Sequence, residues 1–411
     1  MGEKVARVPR VNGAVFTISG IMALALIGDS LLYSILPIYA EDLGIPLVMV
    51  GAILSINRWI RLVANPLAVK TYRQRALSSP LLFSTAGAVI STALYAFPLG
   101  TFSFLVARML WGVSYSFFRL GSYLIVLQTS RPVLGLAMGI TQAVSRLGSA
   151  FTVVAGGIII DALGYQTGML MVASLSALAF PLLFLLRSQL KDHGDPTSME
   201  EEEVKHRVAQ HRTLSAPYCQ VAGFVTYIVG NGLVTSSLSL LLQQRVGDSL
   251  SLGRFTLGIA TLAGLVFSSR WLSGLIISPV AGHLGDRFGR RLPFVLATIL
   301  QAIVLMVLAI WSSPISTIIC TVLYFIFQNS QKVFLDTAIG DSAHGPEQNQ
   351  VIGRYNSLQD LGAALGPLVG YGVGAILGFE SVYVAAALAL FCLGVFAFPH
   401  LRAVNGGELS N

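Results

Sequence analysis

The segment Gly282–Arg291 has the sequence GHLGDRFGRR and lies at the end of a long apolar run, Phe255–His283. Its three glycines permit a tight turn and a close approach between helices. The carboxylate of Asp286 can form a charge network with the neighbouring arginines beside a helix terminus. A short charged segment between two apolar runs is typical of a loop at the rim of a membrane protein.

Apolar runs on both sides of this segment account for most of the chain. A helix needs about 20 predominantly apolar residues to cross the hydrocarbon, and backbone in lipid must satisfy its own hydrogen bonds, so we predict twelve membrane helices. The first six are Gly13–Ala40, Leu47–Val69, Pro80–Leu99, Thr101–Gln128, Pro132–Ile160 and Gln166–Leu186. The second six are Ala216–Gln243, Phe255–His283, Leu292–Trp311, Ser316–Asp336, Gly353–Leu377 and Ser381–Phe398.

The composition indicates lipid rather than water as the solvent. Of the 411 residues, 54% are hydrophobic and 11% are charged, whereas a soluble domain has about 25% charged residues. This excludes most soluble enzymes and a nucleic-acid-binding protein. The three cysteines and six histidines show no metal-ligand spacing, so we expect no metal and no cofactor. The first apolar run is too long for a cleaved signal peptide, and we expect it to be retained.

The basic residues predict the orientation. On the side that holds both predicted termini we count 17 of the 26 basic residues, against only Arg245 and Arg254 on the other side. The positive-inside rule therefore predicts that both termini are cytoplasmic. The other seven basic residues lie within the predicted spans.

The two halves of the chain show an internal repeat. Arg58-Trp59 in the second span and Arg270-Trp271 in the eighth are each followed by a polar residue, a proline and a small apolar pair, at Asn65–Ala68 and at Ser278–Ala281. A long polar stretch separates the halves. We predict an N-terminal six-helix bundle over residues 1–186, a cytoplasmic linker over 187–215 and a C-terminal six-helix bundle over 216–411.

The segment Gly282–Arg291 resembles the loop motif G-x-L-x-D-R-x-G-R-R of the major facilitator superfamily, in its second-half position. The resemblance implies an all-α membrane protein with two six-helix bundles related by pseudo-two-fold symmetry. It also implies a monomeric secondary transporter of the bacterial inner membrane that works by alternating access. In the family this loop is a gate, and the matching residues here are Gly282, Asp286, Arg287, Gly289 and Arg290. The first-half counterpart, Asn65–Arg75, keeps the basic residues but has no carboxylate.

Charges inside the spans are expensive, so they indicate function. The basic residues there are Arg58, Arg61, Arg108, Arg119, Arg146, Arg270 and Lys332, whereas the acidic candidates are only Asp29, Asp336 and Asp360. For Lys332 with Asp336, and for Arg119, we expect ion pairs or solvated positions at the cytoplasmic rim. The remaining excess of positive charge predicts an anionic ligand, since arginine presents a planar fork to carboxylate or phosphate.

Asp29 and Arg108 fall at a similar depth, at about 24 Å from the inner start of the first span and about 10 Å from the outer start of the fourth. The Arg108 segment also resembles the fourth-helix arginine motif of drug–proton antiporters. A carboxylate beside an arginine can alternate between an ion pair and a protonated acid as water access changes. We therefore predict that Asp29 is the protonation site and Arg108 its partner; a purely structural ion pair is the alternative.

The substrate site is predicted from helix faces near mid-membrane. Arg58, Arg61 and Asn65 share one face of the second span, and Gln142 and Arg146 share one face of the fifth. In the family these helices meet the eighth between the halves, so Arg270 is included, and the aromatic side chains of Tyr33 and Trp59 are candidates to contact an apolar part of the ligand.

These features predict a secondary active transporter for a small organic anion or an amphipathic metabolite or drug, coupled to protons. The resemblance to drug–proton antiporters favours efflux. The alternative is a proton-coupled importer of an organic acid, a phosphate ester or a carboxylate siderophore, which the many arginines also suit. An enzyme is not expected, because the sequence has no nucleophile beside a base.

Overall fold

The computed structural model describes residues 11–128, 133–191, 214–252, 255–342 and 348–397. Twelve helices cross the molecule in sequence. The first six are α1 (Gly13–Tyr39), α2 (Leu47–Gln74), α3 (Ser78–Tyr95), α4 (Gly100–Leu127), α5 (Leu134–Leu163) and α6 (Tyr165–Leu190). The second six are α7 (Ala216–Val246), α8 (Ile259–Phe288), α9 (Arg291–Ile310), α10 (Pro314–Ser342), α11 (Gln348–Leu377) and α12 (Phe379–Phe396).

The predicted all-α membrane architecture is confirmed. Among the described residues, eleven of these helices are long and apolar enough to cross a membrane. The remaining one, α3, lies where the third span was predicted and packs against α4. Four of its serine and threonine residues are fully buried, and each donates to a carbonyl of its own helix: Ser84 to Pro80, Thr85 to Leu81, Ser91 and Thr92 to Ala88. Satisfying hydroxyls locally makes such a helix compatible with lipid.

The helices belong to two sets of six. In the first set α1 packs against α5, and α4 against α2 and α3; in the second set α9 packs against α10 and α12, and α8 against α10. The two sets meet where α5 crosses α8 and α2 crosses α11, with α1 also touching α7. The predicted division at residues 187–215 stays a prediction, because 192–213 lie outside the described residues.

Three local departures from the predicted spans are visible. The segment Tyr227–Val234 within α7 is a π-helix. The strands β1 (Ser249–Leu252) and β2 (Phe255–Gly258) form an antiparallel pair before α8. The predicted start of the eighth span at Phe255 is therefore wrong, because the helix begins at Ile259. The segment predicted as a loop is mostly helix, since α8 continues to Phe288 and only Gly289, with φ of +80°, ends it.

The helix α1 begins at one end of the bundle, which we call the proximal end. We call the opposite end the distal end. The two sets of helices are in tight contact in the distal part. A Cβ added to Gly157 of α5 would lie 2.4 Å from the carbonyl oxygen of Ala260, and one added to Gly51 of α2 would lie 2.5 Å from that of Pro367. Such distances are shorter than any real Cβ contact, so glycine at both positions permits the helix backbones to touch.

A carboxylate strengthens this distal contact. Asp161, near the end of α5, accepts hydrogen bonds from the backbone N–H groups of Ala260 and Thr261, at 3.2 and 2.7 Å, and from the Thr261 hydroxyl. These are free donors in the first turn of α8, where the helix dipole also favours a negative charge. Asp161 therefore caps a helix of the other half.

The proximal part of the same crossing is open. Cβ atoms added to Gly135 and Gly139 of α5, or to Gly282 of α8, would meet no atom within 4 Å. The contrast with Gly157 shows that α5 and α8 diverge from the distal end towards the proximal end. The structure is thus a state with a closed distal end.

Replacing Asp161 by alanine should loosen the distal contact. Losing a cap of this kind costs about 1 kcal/mol, so we expect the fraction of molecules with a separated distal end to increase about fivefold. Spin labels at Leu163 and Thr256, with Cys392 changed to serine, allow the distance to be measured by double electron–electron resonance. Asp248→Ala, an exposed acid at the same end, should leave the distance distribution unchanged; equal distributions in all three proteins would contradict the capping role.

Candidate substrate cavity

A cavity of about 490 Å³ lies between the two sets of helices. Its wall includes residues of eight helices, α1, α2, α4, α5, α7, α8, α10 and α11. The charged side chains among them are unbalanced, with six basic residues against two acidic ones. The basic residues are Arg58, Arg61, Arg119, Arg146, Arg270 and Lys332, and the acidic residues are Asp29 and Asp360.

Asp29 and Arg108 form an ion pair at the cavity wall. Nη1 of Arg108 contacts Oδ1 of Asp29, and Nε of Arg108 donates to the carbonyl of Ile53 at 3.3 Å. Arg108 is completely buried, and its guanidinium also lies 5.2 Å from the ring centroid of Tyr33. The Asp29 side chain is 18% exposed and lines the cavity. Water can therefore reach the carboxylate but not the arginine behind it.

The second carboxylate also has a partner. Nη2 of Arg61 lies 3.2 Å from Oδ1 of Asp360, which joins α2 of the first half to α11 of the second. The Arg61 guanidinium lies 5.2 Å from the ring centroid of Tyr115 as well, a cation–π arrangement. Nearby, Nε of Arg58 is buried without a hydrogen-bond partner. Both cavity carboxylates thus form ion pairs with arginines, and Arg58 has no carboxylate partner.

Amide side chains position Arg270 of the second half. Oδ1 of Asn231 accepts from Arg270 and from Gln328, both at 3.2 Å. The Asn329 amide nitrogen donates at 2.9 Å to the Arg270 carbonyl and to the Ser273 hydroxyl, which fixes α10 against α8. The π-helix supplies Tyr227 and Asn231 to the cavity wall. π-Helical turns recur at functional sites because they alter which side chains share a face.

A smaller recess of about 160 Å³ continues from the cavity into the second half. We call it the amide pocket. Its wall consists of Arg146, Thr226, Tyr227, Asn231, Arg270, Trp271, Gln328, Asn329, Gln331 and Lys332. It therefore combines three basic side chains with four amides, and it has no carboxylate among its described lining residues.

Most of the side chains predicted for the substrate site come together in the cavity. Arg58, Arg61, Gln142, Arg146, Arg270 and Tyr33 all line it. The structure does not place Asn65 and Trp59 among the lining residues. Asn65 is exposed, and it lies one turn beyond Arg61 towards the proximal end of α2. The indole nitrogen of Trp59 donates to Ser55, whose hydroxyl binds the Ala364 carbonyl at the α2–α11 contact.

Two residues expected at the rim lie in the cavity instead. Arg119 and Lys332 both line it, and among the described residues the structure shows no ion pair between Lys332 and Asp336. The ammonium group of Lys332 lies 5.8 Å from the ring centroid of Tyr227. Asp336 instead accepts hydrogen bonds from the Tyr355 hydroxyl at 2.6 Å and from Gln359 at 3.4 Å. Asp336 therefore binds Tyr355 of the next helix and not Lys332, which lies one turn away on its own helix.

The predicted gating residues lie at the proximal end of α8. Arg290 binds Asp286 at 2.6 Å and Asp341 of α10 at 2.9 Å. Arg287 is exposed, with its guanidinium 5.4 Å from the Phe288 ring centroid. In the described part of the chain these contacts stay within the second half. The network fastens α8 to α10 and does not join the two halves in this state.

Comparison with known proteins assigns the architecture. The family profile described as Major Facilitator Superfamily matches residues 18–274 and 221–410. The chain belongs to this superfamily. It is 26% identical over 392 residues to the multidrug resistance protein MdtG of Enterobacter lignolyticus (strain SCF1), which covers 92% of this chain and 90% of that protein. It is also 26% identical over 395 residues to MdtG of Escherichia coli O1:K1 / APEC, covering 93% of both chains.

Solved structures agree on the fold of this superfamily member. A POT family transporter in complex with 5-aminolevulinic acid has a TM-score of 0.76 at 13% identity, covering 96% of this chain and 97% of that one. A bacterial homolog of the human lysosomal transporter Spinster, in an inward-facing and unoccupied conformation, has a TM-score of 0.73 at 12% identity, covering 96% and 97%. The protein is a secondary transporter of the membrane and not an enzyme.

Removing the Asp360 carboxylate should strengthen anion binding. Asp360→Asn would release Arg61 to the cavity, so we expect several-fold tighter binding of an amphipathic anion such as naphthalene sulfonate, together with a lower melting temperature of the ligand-free protein because a partly buried cation loses its partner. Isothermal titration and thermal unfolding of the purified protein measure both effects. Glu380→Gln, an exposed acid on α12, is the matched control; weaker or unchanged anion binding by Asp360→Asn would contradict this account of the cavity.

Proposed function

We propose that this transporter exports an amphipathic organic anion in exchange for protons. The observation that supports it is the charge of the cavity. Six basic side chains line it, and the two carboxylates are already paired, Asp29 with Arg108 and Asp360 with Arg61. Unpaired charges in a low-dielectric site cost several kcal/mol each. An anionic ligand would lower this cost, and the basic side chains would in turn stabilise the bound anion.

The apolar part of the wall supports an amphipathic substrate. Between the basic residues the cavity presents aromatic and aliphatic side chains: Leu26, Tyr33, Trp111, Tyr115, Tyr227, Phe267 and Trp271. Ligand sites of this kind combine apolar walls with a few polar groups that fix orientation. A ligand with an anionic group and an aromatic or aliphatic body would use both kinds of surface.

The position of Asp29 supports a role in proton coupling. Its carboxylate lines the cavity while its arginine partner is buried. When Asp29 accepts a proton the ion pair is lost, and the positive charge of Arg108 is no longer compensated. Protonation at this one site therefore changes the electrostatic potential next to Tyr33 and Arg58, where a substrate would lie.

The relationship to MdtG supports export. That relative is named a multidrug resistance protein and aligns with this chain over nearly its full length. In an exporter of this kind the proximal end would be cytoplasmic, as the distribution of basic residues predicts, and the state with a closed distal end would be the one that loads substrate.

Electrostatics support a second candidate, proton-coupled import. An anion in the cavity would repel the Asp29 carboxylate, and a proton on Asp29 would remove that negative charge from the wall. Proton and anion would then bind together rather than exclude each other, which is the behaviour of a symporter. The same residues would serve either direction, so the direction of flux decides between the candidates.

Charge selectivity tests the anionic substrate. In proteoliposomes we expect flux of radiolabelled naphthalene sulfonate but not of the matched cation naphthylmethylammonium. Arg146→Gln should reduce the anion flux at least tenfold, since a close charge–charge contact contributes about 1.5 kcal/mol or more, whereas Arg187→Gln on the exposed surface of α6 should not. Cation transport that is insensitive to Arg146→Gln would contradict the proposal.

Replacing Asp29 by asparagine tests coupling. In Asp29→Asn we expect the imposed pH gradient to lose its effect on naphthalene sulfonate flux, while exchange of labelled for unlabelled anion without a gradient continues. Asp42→Asn, which changes an exposed acid in the loop after α1, should keep gradient-driven flux. Normal proton-driven transport by Asp29→Asn would exclude the coupling role. In the unaltered protein, expulsion of anion from the compartment that protons enter indicates export, and accumulation there indicates import.

A further inference from the structure

The amide pocket is a distinct part of the cavity with its own chemistry. Three of its lining residues are basic, and they come from three different helices: Arg146 of α5, Arg270 of α8 and Lys332 of α10. Among the described residues, none of the three has a carboxylate within ion-pair distance. The first-half part of the cavity differs, because Asp360 there neutralises Arg61. Among the described residues, three basic side chains without an ion pair therefore lie in the amide pocket, against Arg58 and Arg119 in the rest of the cavity.

The three cations come together in this pocket because Arg146 reaches across from the first half. A Cβ added to Gly274 of α8 would lie 3.2 Å from Nη1 of Arg146 and 3.3 Å from Oδ1 of Asn329, so the guanidinium of α5 reaches across to the floor of the pocket in the other half. A side chain larger than hydrogen at Gly274 would displace that guanidinium. Lys332 lines the same pocket as Arg146.

Hydrogen bonds restrict how Arg270 can turn away. Its Nη2 donates to Asn231, which is itself fixed by Gln328, and Asn329 binds the Arg270 backbone carbonyl. Asn231 is neutral, so it orients the guanidinium without compensating its charge. An arginine that is oriented by amides rather than by a carboxylate keeps its attraction for a ligand anion.

A single negative charge does not match this pocket. Three cations line this pocket of about 160 Å³, so a bound monoanion would leave a net charge of about +2 around it. A group with two negative charges and several acceptor oxygens matches both the charge and the number of N–H donors, and the volume admits a group of tetrahedral oxyanion size. Tyr227 and Trp271 line both the pocket and the larger cavity. The body of the ligand would therefore extend past these rings towards Tyr33 and Phe267.

We propose that the amide pocket binds a doubly charged oxyanion group, of the phosphate monoester class, at one end of an amphipathic substrate. This assignment rests on the proposed function in that the substrate is anionic, and it adds the headgroup and its location. Arg146, Arg270 and Lys332 contact the oxyanion, and Asn231 is a positioning residue for Arg270. Specificity for two charges over one comes from the number of uncompensated cations.

Three probes that share a benzene ring test the assignment. Phenyl phosphate is a dianion at pH 8, benzenesulfonate is a monoanion, and benzamide is neutral. Isothermal titration of the purified full-length protein should give phenyl phosphate at least tenfold tighter binding than benzenesulfonate, and no measurable binding of benzamide. Lowering the pH from 8 to 5.5 should reduce this ratio, because most of the phenyl phosphate becomes a monoanion.

Variants of Lys332 locate the effect. Lys332→Met should remove most of the preference for phenyl phosphate while benzenesulfonate binding changes little, and Lys332→Arg should restore the preference. Arg187→Gln, outside the cavity, should keep the ratio. Thermal unfolding of each variant without ligand shows whether it is folded, and the conservative Lys332→Arg variant keeps the test decisive if Lys332→Met is unstable.

The outcomes separate the two levels of inference. Equal affinity for phenyl phosphate and benzenesulfonate, both reduced by Arg146→Gln, would overturn the dianion pocket and leave an anion transporter. A tenfold preference that Lys332→Met does not change would place the dianion elsewhere and also overturn the assignment. Binding of benzamide as tight as that of both anions would contradict the anionic substrate itself.

Discussion

The organisation of this molecule depends on the cost of placing positive charge inside a membrane protein. Several kcal/mol per unpaired ion is comparable to the whole free energy of folding of a domain, yet six basic side chains line one cavity between the two halves. Two of the available carboxylates compensate arginines directly, Asp29 for Arg108 and Asp360 for Arg61. The other charges are tolerable because the cavity admits water in this state, and an anionic ligand would compensate them when the cavity closes.

For the cavity to close at the proximal end, the two halves must meet there and separate at the distal end. The structure shows which contacts hold the distal end together. Glycines at Gly51 and Gly157 bring helix backbones into contact, and Asp161 caps α8 from the other half. These contacts lie beside a buried apolar cluster that draws on both halves, with Leu31 and Val153 from the first and Leu238 and Ile259 from the second. The Arg290 network lies at the opposite end and connects α8 only to α10 in this state.

Much of the fold and of the cavity can be predicted from the sequence. The lengths of the apolar runs predict the membrane helices, and the 3.6-residue helical repeat predicts that Arg58 and Arg61 share one helix face. Other features do not. Asn65 fits the helical repeat but lies beyond the cavity, because periodicity fixes direction and not depth. Lys332 has a carboxylate one turn away, but Asp336 binds Tyr355 of another helix instead, a tertiary contact with no local pattern. The π-helix that supplies Asn231 and the cap by Asp161 of a helix about 100 residues later also have no short-range sequence pattern. Gln328 and Asn329 were detectable only as amides in an apolar run.

The most direct test of an anion-binding cavity is anomalous X-ray diffraction from crystals soaked in bromide and, separately, in rubidium. The account predicts a bromide peak within contact distance of Arg146, Arg270 and Lys332, and no rubidium in the cavity. Rubidium beside Asp29 or Asp360, with the bromide peaks confined to the outer surface, would contradict it.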